Sequence, residues 1–224
     1  MNCLLMGLEV ILFFFLMIIF YKINKKDGLY LYIALISSLL SIIVIGSIDV
    51  LSFKISVGIP LAVCLFLCNN VIIERYGLDE VKKILYTFGF SFGLPIIILS
   101  LGSLASNYCY GFCGNYIYDS LFGYSFSNFR CVISTFISII FMIWIGSGIY
   151  YSFKKNRNMF VISNIVTSFV IFFVESLIFV FISSAGSFTL VELFGMISVT
   201  YIIEIIISVL GIVPVCVLVK YIDK

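Results

Sequence analysis

From Cys3 to Val219 the chain returns again and again to apolar runs of about 20 residues, the length that carries a helix across the hydrocarbon core of a bilayer. Seven such runs can be marked: Cys3–Tyr21, Gly28–Leu51, Ile55–Ile73, Ile84–Ser103, Cys131–Phe153, Phe160–Ser183 and Leu193–Val219. The last is long, and Gly211 and Pro214 mark where it would tilt or break. Apolar residues make up 63% of the chain, charged residues only 11%, and histidine is absent. A water-soluble domain of this length needs far more polar surface, so the expected fold is an all-α polytopic helical bundle forming a single membrane domain over residues 1–224. The first run is read as a span and not as a cleaved leader, because no basic stretch precedes it, it carries Glu9, and no small-residue cleavage site follows.

The bases order these spans. Of the 13 Lys and Arg residues, all but Lys54 and Arg130 fall after the first, third, fifth and seventh runs. Lys22, Lys25 and Lys26 follow the first; Arg75, Lys82 and Lys83 the third. Lys154, Lys155 and Arg157 follow the fifth, and Lys220 and Lys224 the seventh. Bases gather on the cytoplasmic side of a membrane. The pattern predicts an odd number of crossings, with the N-terminus outside and the C-terminus inside. An outer segment, Leu104 to Phe129, holds the interfacial aromatics Tyr108, Tyr110, Phe112, Tyr116 and Tyr118. It also holds Cys109 and Cys113, which an oxidising exterior would allow to bridge, although two cysteines four apart are more often unpaired. The cysteines inside apolar runs act as small hydrophobes, and none has metal-ligand spacing.

Polar residues inside the runs are few. Leu61 to Gly77 (LAVCLFLCNNVIIERYG) ends in Asn69, Asn70, Glu74 and Arg75, and the four-residue step from Asn70 to Glu74 puts both on one helix face. The rest of the bundle is expected to be built around this helix. The sixth run carries Asn164, Thr167, Ser168 and Glu175 near one face; the seventh carries Thr200, Glu204 and Ser208 at four-residue steps. Ser37, Ser41, Ser134 and Ser138 read as close-packing residues between helices. Glu175 and Glu204 lie near mid-span, where an ionised carboxylate facing lipid costs at least a few kcal/mol. They are expected to face inward, either lining a polar cavity or protonated and hydrogen-bonded to a neighbouring helix. Glu9 and Glu192, nearer span ends, are expected to be interfacial. Asp79 and Glu80 with Lys82 and Lys83 read as a solvated turn. No nucleophile elbow, phosphate loop or soluble acid pair suggests an enzyme.

Two stretches carry a resemblance. GLYLYIALISSLL (Gly28–Leu40) and VGIPLAVCLFLCNNVIIERYGLDEVKKILYTFGF (Val57–Phe90) resemble the N-terminal half of the queuosine precursor transporters, also called vitamin uptake transporters. Asn70, Glu74, Arg75, Tyr76, Gly77, Gly89 and Phe90 stand at that family's motif positions, with Asn70 in place of its Asp. Later, Leu121–Thr135 is similar to the family's Arg-bearing loop and small-residue helix, through Arg130, Ser134 and Thr135. Asn164–Phe179 and Tyr201–Pro214 are similar to its last two helices. Phe172 stands where the family has Gln, Glu204 where it has Lys, and Gly211 where it has Asp. Ile143 and Gly146 replace its Gln and Asp, and Ser41, Ile43 and Gly46 its Asn, Gln and Lys.

The resemblance implies a multi-pass carrier of a bacterial inner membrane that imports a deazaguanine-like base. Asn70, Glu74, Arg130, Asn164, Thr167, Ser168, Glu175 and Glu204 would bind that small-molecule substrate. The bilayer would be its other partner, with no nucleic acid, no metal and no cofactor, and no residue pattern specifies an oligomer. Two rivals remain: a carrier of another small solute such as a different nucleobase or vitamin, and a non-transporting scaffold or accessory subunit.

Overall fold

The computed structural model describes residues 2–50, 53–106, 126–154 and 160–221. Cys109, Cys113, the aromatics between them and their neighbours Tyr108, Tyr116 and Tyr118, together with Lys155, Arg157 and Lys224, lie outside the described residues. The elements in order are α1 (Asn2–Ile43), β1 (Ser47–Val50), β2 (Phe53–Ser56), α2 (Ile59–Tyr76), a single 3-10 turn (Leu78–Glu80), α3 (Val81–Ser106), α4 (Phe126–Phe153), α5 (Phe160–Ser184) and α6 (Leu190–Tyr221). Among the described residues six helices are long and apolar enough to cross a membrane. The molecule is a multi-pass helical bundle.

The longest of them, α1, is two arms. Asn24 and Lys25 leave helical geometry, with Lys25 at φ 46. Beyond them the chain turns back: the Tyr32 hydroxyl donates to the Phe13 carbonyl at 3.0 Å. On one straight helix residues 19 apart stand roughly 28 Å apart, so that bond requires the two arms to lie side by side. The turn is tight enough that a Cβ on Gly28 would sit 1.9 Å from the Phe20 carbonyl oxygen, and only glycine fits.

α2 occupies the centre. Every residue from Ile59 to Ile73 is buried, and the helix touches all five others. A helix apolar all round has no preferred face and is stable only when wrapped. The surrounding helices show the complement, turning Ile11, Phe15, Trp144, Phe173, Ile206 and Leu210 outward, as lipid-facing surface requires.

The segment between the second arm of α1 and α2 departs from expectation. The sequence runs Gly28–Leu51 and Ile55–Ile73 predict two spans meeting in a short polar turn. Instead α1 ends at Ile43 and an antiparallel hairpin intervenes, pairing Ser47 with Ser56, Ile48 with Ile55, Asp49 with Lys54 and Val50 with Phe53. The reason lies in the alternation of SIDV and FKIS, a two-residue period of β-branched and aromatic residues that favours strands over a helix. The hairpin leans on the bundle through Phe53, whose ring fills the space beside Gly195 of α6; a Cβ there would lie 2.2 Å from it. α6 itself runs unbroken through Gly211 and Pro214. It starts with a capping box, in which the Thr189 N–H donates to Glu192 Oε2 at 2.8 Å and the Glu192 N–H to Thr189 Oγ1 at 3.4 Å.

The two ends of the bundle differ. At the end holding the α1 turn, Glu80 is not the solvated residue that the sequence predicts. It is buried, accepts from the Tyr30 hydroxyl at 2.6 Å, and pairs with Lys26 at 3.0 Å and Lys83 at 3.3 Å. Arg75 donates to the Leu218 and Val219 carbonyls near the end of α6. Lys154 donates to the Ile73 and Glu74 carbonyls at the end of α2, at 3.3 and 2.7 Å. Both cations thus cap the carbonyl terminus of another helix, where the helix dipole is negative. Gly28→Val is expected to clash with the Phe20 carbonyl and destabilise the protein by roughly 2–4 kcal/mol, read as a lowered thermal unfolding midpoint in detergent with normal membrane insertion.

Candidate functional site

The polar residues of α2, α5 and α6 fall into two clusters. The first lies toward the basic end. Asn70 Nδ2 donates to Asn164 Oδ1 at 2.9 Å, and Asn164 Nδ2 donates to the Phe160 carbonyl at 2.9 Å. Asn69 Nδ2 donates to Ser147 Oγ at 3.1 Å, and Ser147 in turn donates to the Ile143 carbonyl. One turn further, Glu74 Oε2 accepts from the Tyr150 hydroxyl at 2.8 Å and pairs with Lys154 at 3.3 Å. Asn69, Asn70 and Asn164 are fully enclosed, and their side chains tie α2 to α4 and α5. Buried amides are tolerated in an apolar bundle when they meet one another in this way.

The second cluster lies toward the hairpin end. The Ser138 hydroxyl of α4 donates to Glu175 Oε1 at 2.8 Å. Glu204 of α6 stands within hydrogen-bonding reach of Glu175. Both side chains are buried, and Oε2 of each meets no donor. They line a hollow of about 20 Å³ together with Ser56, Thr135 and Thr200. That hollow shares walls of Val44, Ser56, Phe179 and Thr200 with a larger one of about 270 Å³. The larger hollow lies beneath the hairpin, where Lys54, Asn128, Ser184 and Ser187 add polar lining. Its size is close to the lower end of small-molecule pockets, about 300 Å³.

Between the two clusters the interior is filled by apolar side chains. The rings of Phe66 and Phe172 meet edge to face, with centroids 5.0 Å apart. Gly146 presses against the Phe66 ring and Ile171, since a Cβ there would lie 3.3 Å from the ring and 3.2 Å from Ile171. Eleven residues separate Asn164 from Glu175 on α5, about 16 Å along the helix. The single site expected from Asn70, Asn164 and Glu175 together is therefore divided. Asn70 and Asn164 join each other, Glu175 and Glu204 join each other, and an aromatic plug separates the pairs.

The remaining candidates take other places. Ser168 meets Ser208 of α6 at 2.7 Å, while Thr167 donates to the Ser163 carbonyl of its own helix at 2.7 Å. Arg130 reaches the end of α5, donating to the Ile182 and Ala185 carbonyls at 3.0 and 2.6 Å, and so caps that helix. Ser37 and Ser41 bond back to carbonyls of their own helix. Glu9 is half-buried on the first arm of α1. Tyr150 and Ser56 belong to the two clusters without having stood out in the sequence, whereas the four-residue steps through Thr200, Glu204 and Ser208 had marked Thr200.

A further hollow, about 680 Å³, is a groove between the first arm of α1 and α6. Its walls, from Met6 to Pro214, are wholly apolar, and Ile11, Phe15 and Leu210 face outward there, as befits a lipid-facing surface. Among the described residues no group of three or more His, Cys, Asp or Glu side chains is placed to hold a metal ion. Compared with known protein families, curated protein sequences and solved structures, the chain gives no match.

The division into two clusters has a measurable consequence. A double-mutant cycle of Asn70→Ala with Asn164→Ala is expected to show a coupling of about 0.5–1.5 kcal/mol, the range for hydrogen bonds between membrane helices. The cycle of Asn70→Ala with Glu175→Ala is expected to couple by less than about 0.5 kcal/mol, as separated sites do. Unfolding titrations in mixed micelles read both.

Proposed function

We propose that this chain is a membrane carrier for a deazaguanine-type base, a divergent relative of the queuosine precursor transporters, acting in the inner membrane of a bacterium. The observation that carries the reading is the polar hollow beneath the hairpin, which leads down to two buried carboxyl groups otherwise surrounded by apolar helices. An enclosed pocket with a few convergent polar groups is how proteins hold small ligands. A deazaguanine edge presents N–H donors, and the oxygens of Glu175 and Glu204 with the hydroxyl of Thr200 supply acceptors for them. The matches at Gly28, Glu74, Arg75, Tyr76, Gly77 and Gly89 support the same family.

In this reading the chain crosses the membrane seven times, with the two arms of α1 counted separately. The end bearing Lys26, Arg75 and Lys154 is cytoplasmic, as the excess of bases there favours, and the hairpin end faces outward. Solute enters beneath the hairpin and reaches Glu175 and Glu204. Passage to the cytoplasm requires Phe66 and Phe172 to part. The Asn70–Asn164 and Glu74–Tyr150 contacts hold the inner half together and act on the ligand only through that hold.

The decisive experiment is rescue. Expression of the chain in cells that can neither make nor import queuosine precursors is expected to restore the modified base in transfer RNA. Uptake in that strain is expected to fall by about tenfold or more in Glu175→Ala, at equal membrane abundance, through loss of an acceptor for the ligand. Absence of rescue by the wild-type chain, with the protein present in the membrane, would discard this solute. For the orientation, a tag on the C-terminus is expected to resist protease added to intact spheroplasts, and a tag on the N-terminus to be removed.

A further inference from the structure

We infer that Glu175 and Glu204 form one proton-binding site, a carboxyl pair sharing a proton that it exchanges with water on the hairpin side only. The inference rests on the carrier reading for its use in transport, but its geometry stands apart from the identity of the solute.

Two carboxylates cannot face each other bare in an apolar interior. Like charges at that separation repel strongly where the dielectric is low, and each ion also loses its hydration. Glu175 and Glu204 are 6% and 1% exposed and within hydrogen-bonding reach of each other. The Ser138 hydroxyl satisfies Oε1 of Glu175, and Oε2 of each residue has no donor. A proton on one carboxyl makes it a donor to the other and removes one negative charge, as in other carboxyl pairs that titrate as a unit.

Among the described residues that face the pair, no fixed cation does this work instead. On α4 the residues facing the pair are Thr135 and Ser138, on α2 Ile59 and Ala62, on the second arm of α1 Leu40 and Val44, and from the hairpin Ser56. None of these is charged. The nearest bases are Lys54, on the wall of the outer hollow and opposite Asp49 in the hairpin, and Arg130, directed to the end of α5. Cys131 is the other titratable group on the outer wall.

The route for the proton is one-sided. The hollow beside the pair, about 20 Å³, has room for about one water, which needs at least roughly 10–15 Å³. It adjoins the outer hollow through Ser56 and Thr200, whereas Phe66 and Phe172 close the other direction. A second proton arriving from that water as hydronium makes the pair neutral, with both carboxyls protonated; its return to the water leaves the pair with the one shared proton and a single negative charge. With the hairpin end outward, the pair loads from outside, and its proton reaches the cytoplasm only in a conformation in which the aromatic plug has opened.

Infrared difference spectroscopy of the whole protein in lipid, titrated between about pH 5 and about pH 9, tests the site without any solute. The wild type is expected to show the carbonyl band of a buried protonated carboxyl. That band should shift in frequency in each of E175Q and E204Q, disappear when both are replaced together, and stay unshifted in D79N, whose carboxyl is exposed. A shift in only one of the single variants, or absence of the band in the wild type across the range, would overturn the shared proton. So would a band that sodium ions remove at constant pH, since the site would then hold a cation. If the band behaves as expected while no deazaguanine uptake is found, the carrier reading fails and the proton site stands. For transport, wild-type uptake in proteoliposomes is expected to rise about tenfold when a pH gradient is imposed, acid on the hairpin side; equal uptake with and without the gradient would overturn the coupling role.

Discussion

A polar group inside this bundle has no water to turn to, and the fold is arranged around meeting that need. α2 is the extreme case: it is enclosed on every side, so its two consecutive asparagines must be satisfied by neighbouring helices. Asn69 reaches Ser147 and Asn70 reaches Asn164, and these contacts fix how α4 and α5 are rotated against the centre. Because a hydrogen bond is directional where apolar packing is not, a few such bonds select one rotation among many helix arrangements of similar buried area. Glu74, held by Tyr150 and Lys154, sets the same helices at the adjoining end.

The same need is met differently on the other side of the aromatic plug. There the acceptors outnumber the donors, since Glu175 and Glu204 bring four carboxyl oxygens and Ser138 supplies one hydroxyl hydrogen. The first cluster is closed and self-sufficient, whereas the second borders a hollow and keeps carboxyl oxygens that meet no donor. That difference separates residues that hold the bundle from residues able to receive something. At mid-depth the rings of Phe66 and Phe172 pack on each other, which leaves the polar space to the hairpin side.

Much of the helical framework was legible because apolar runs of spanning length leave little choice of structure. The step from Asn70 to Glu74 correctly placed both on one face, and mid-span burial singled out Glu175 and Glu204 as inward-facing. That these two meet was not legible, because it depends on the rotation of α5 against α6, which is set by packing elsewhere, such as the Ser168–Ser208 contact. The hairpin was written in the alternation of SIDV and FKIS but was hidden by counting apolar residues without asking their period. Glu80 was misread because its spacing to Lys83 is ordinary, while the residues that bury it, Tyr30 and Lys26, come from a helix some fifty residues earlier. Arg130 looked like a ligand group from its place in the chain and is instead the cap of α5.

The knot at Glu80, where Tyr30, Lys26 and Lys83 converge, has a mechanical meaning. It clamps the start of α3 to the second arm of α1, and Arg75 and Lys154 stitch two further helix ends beside it. Among the described residues the opposite end has fewer such fastenings, with a phenyl ring resting on a glycine and a two-stranded flap above the outer hollow. The bundle is therefore stiff at one end and compliant at the other, like a clothes-peg with its spring at the base. Any spreading of the helices pivots about the clamped end and is widest under the flap.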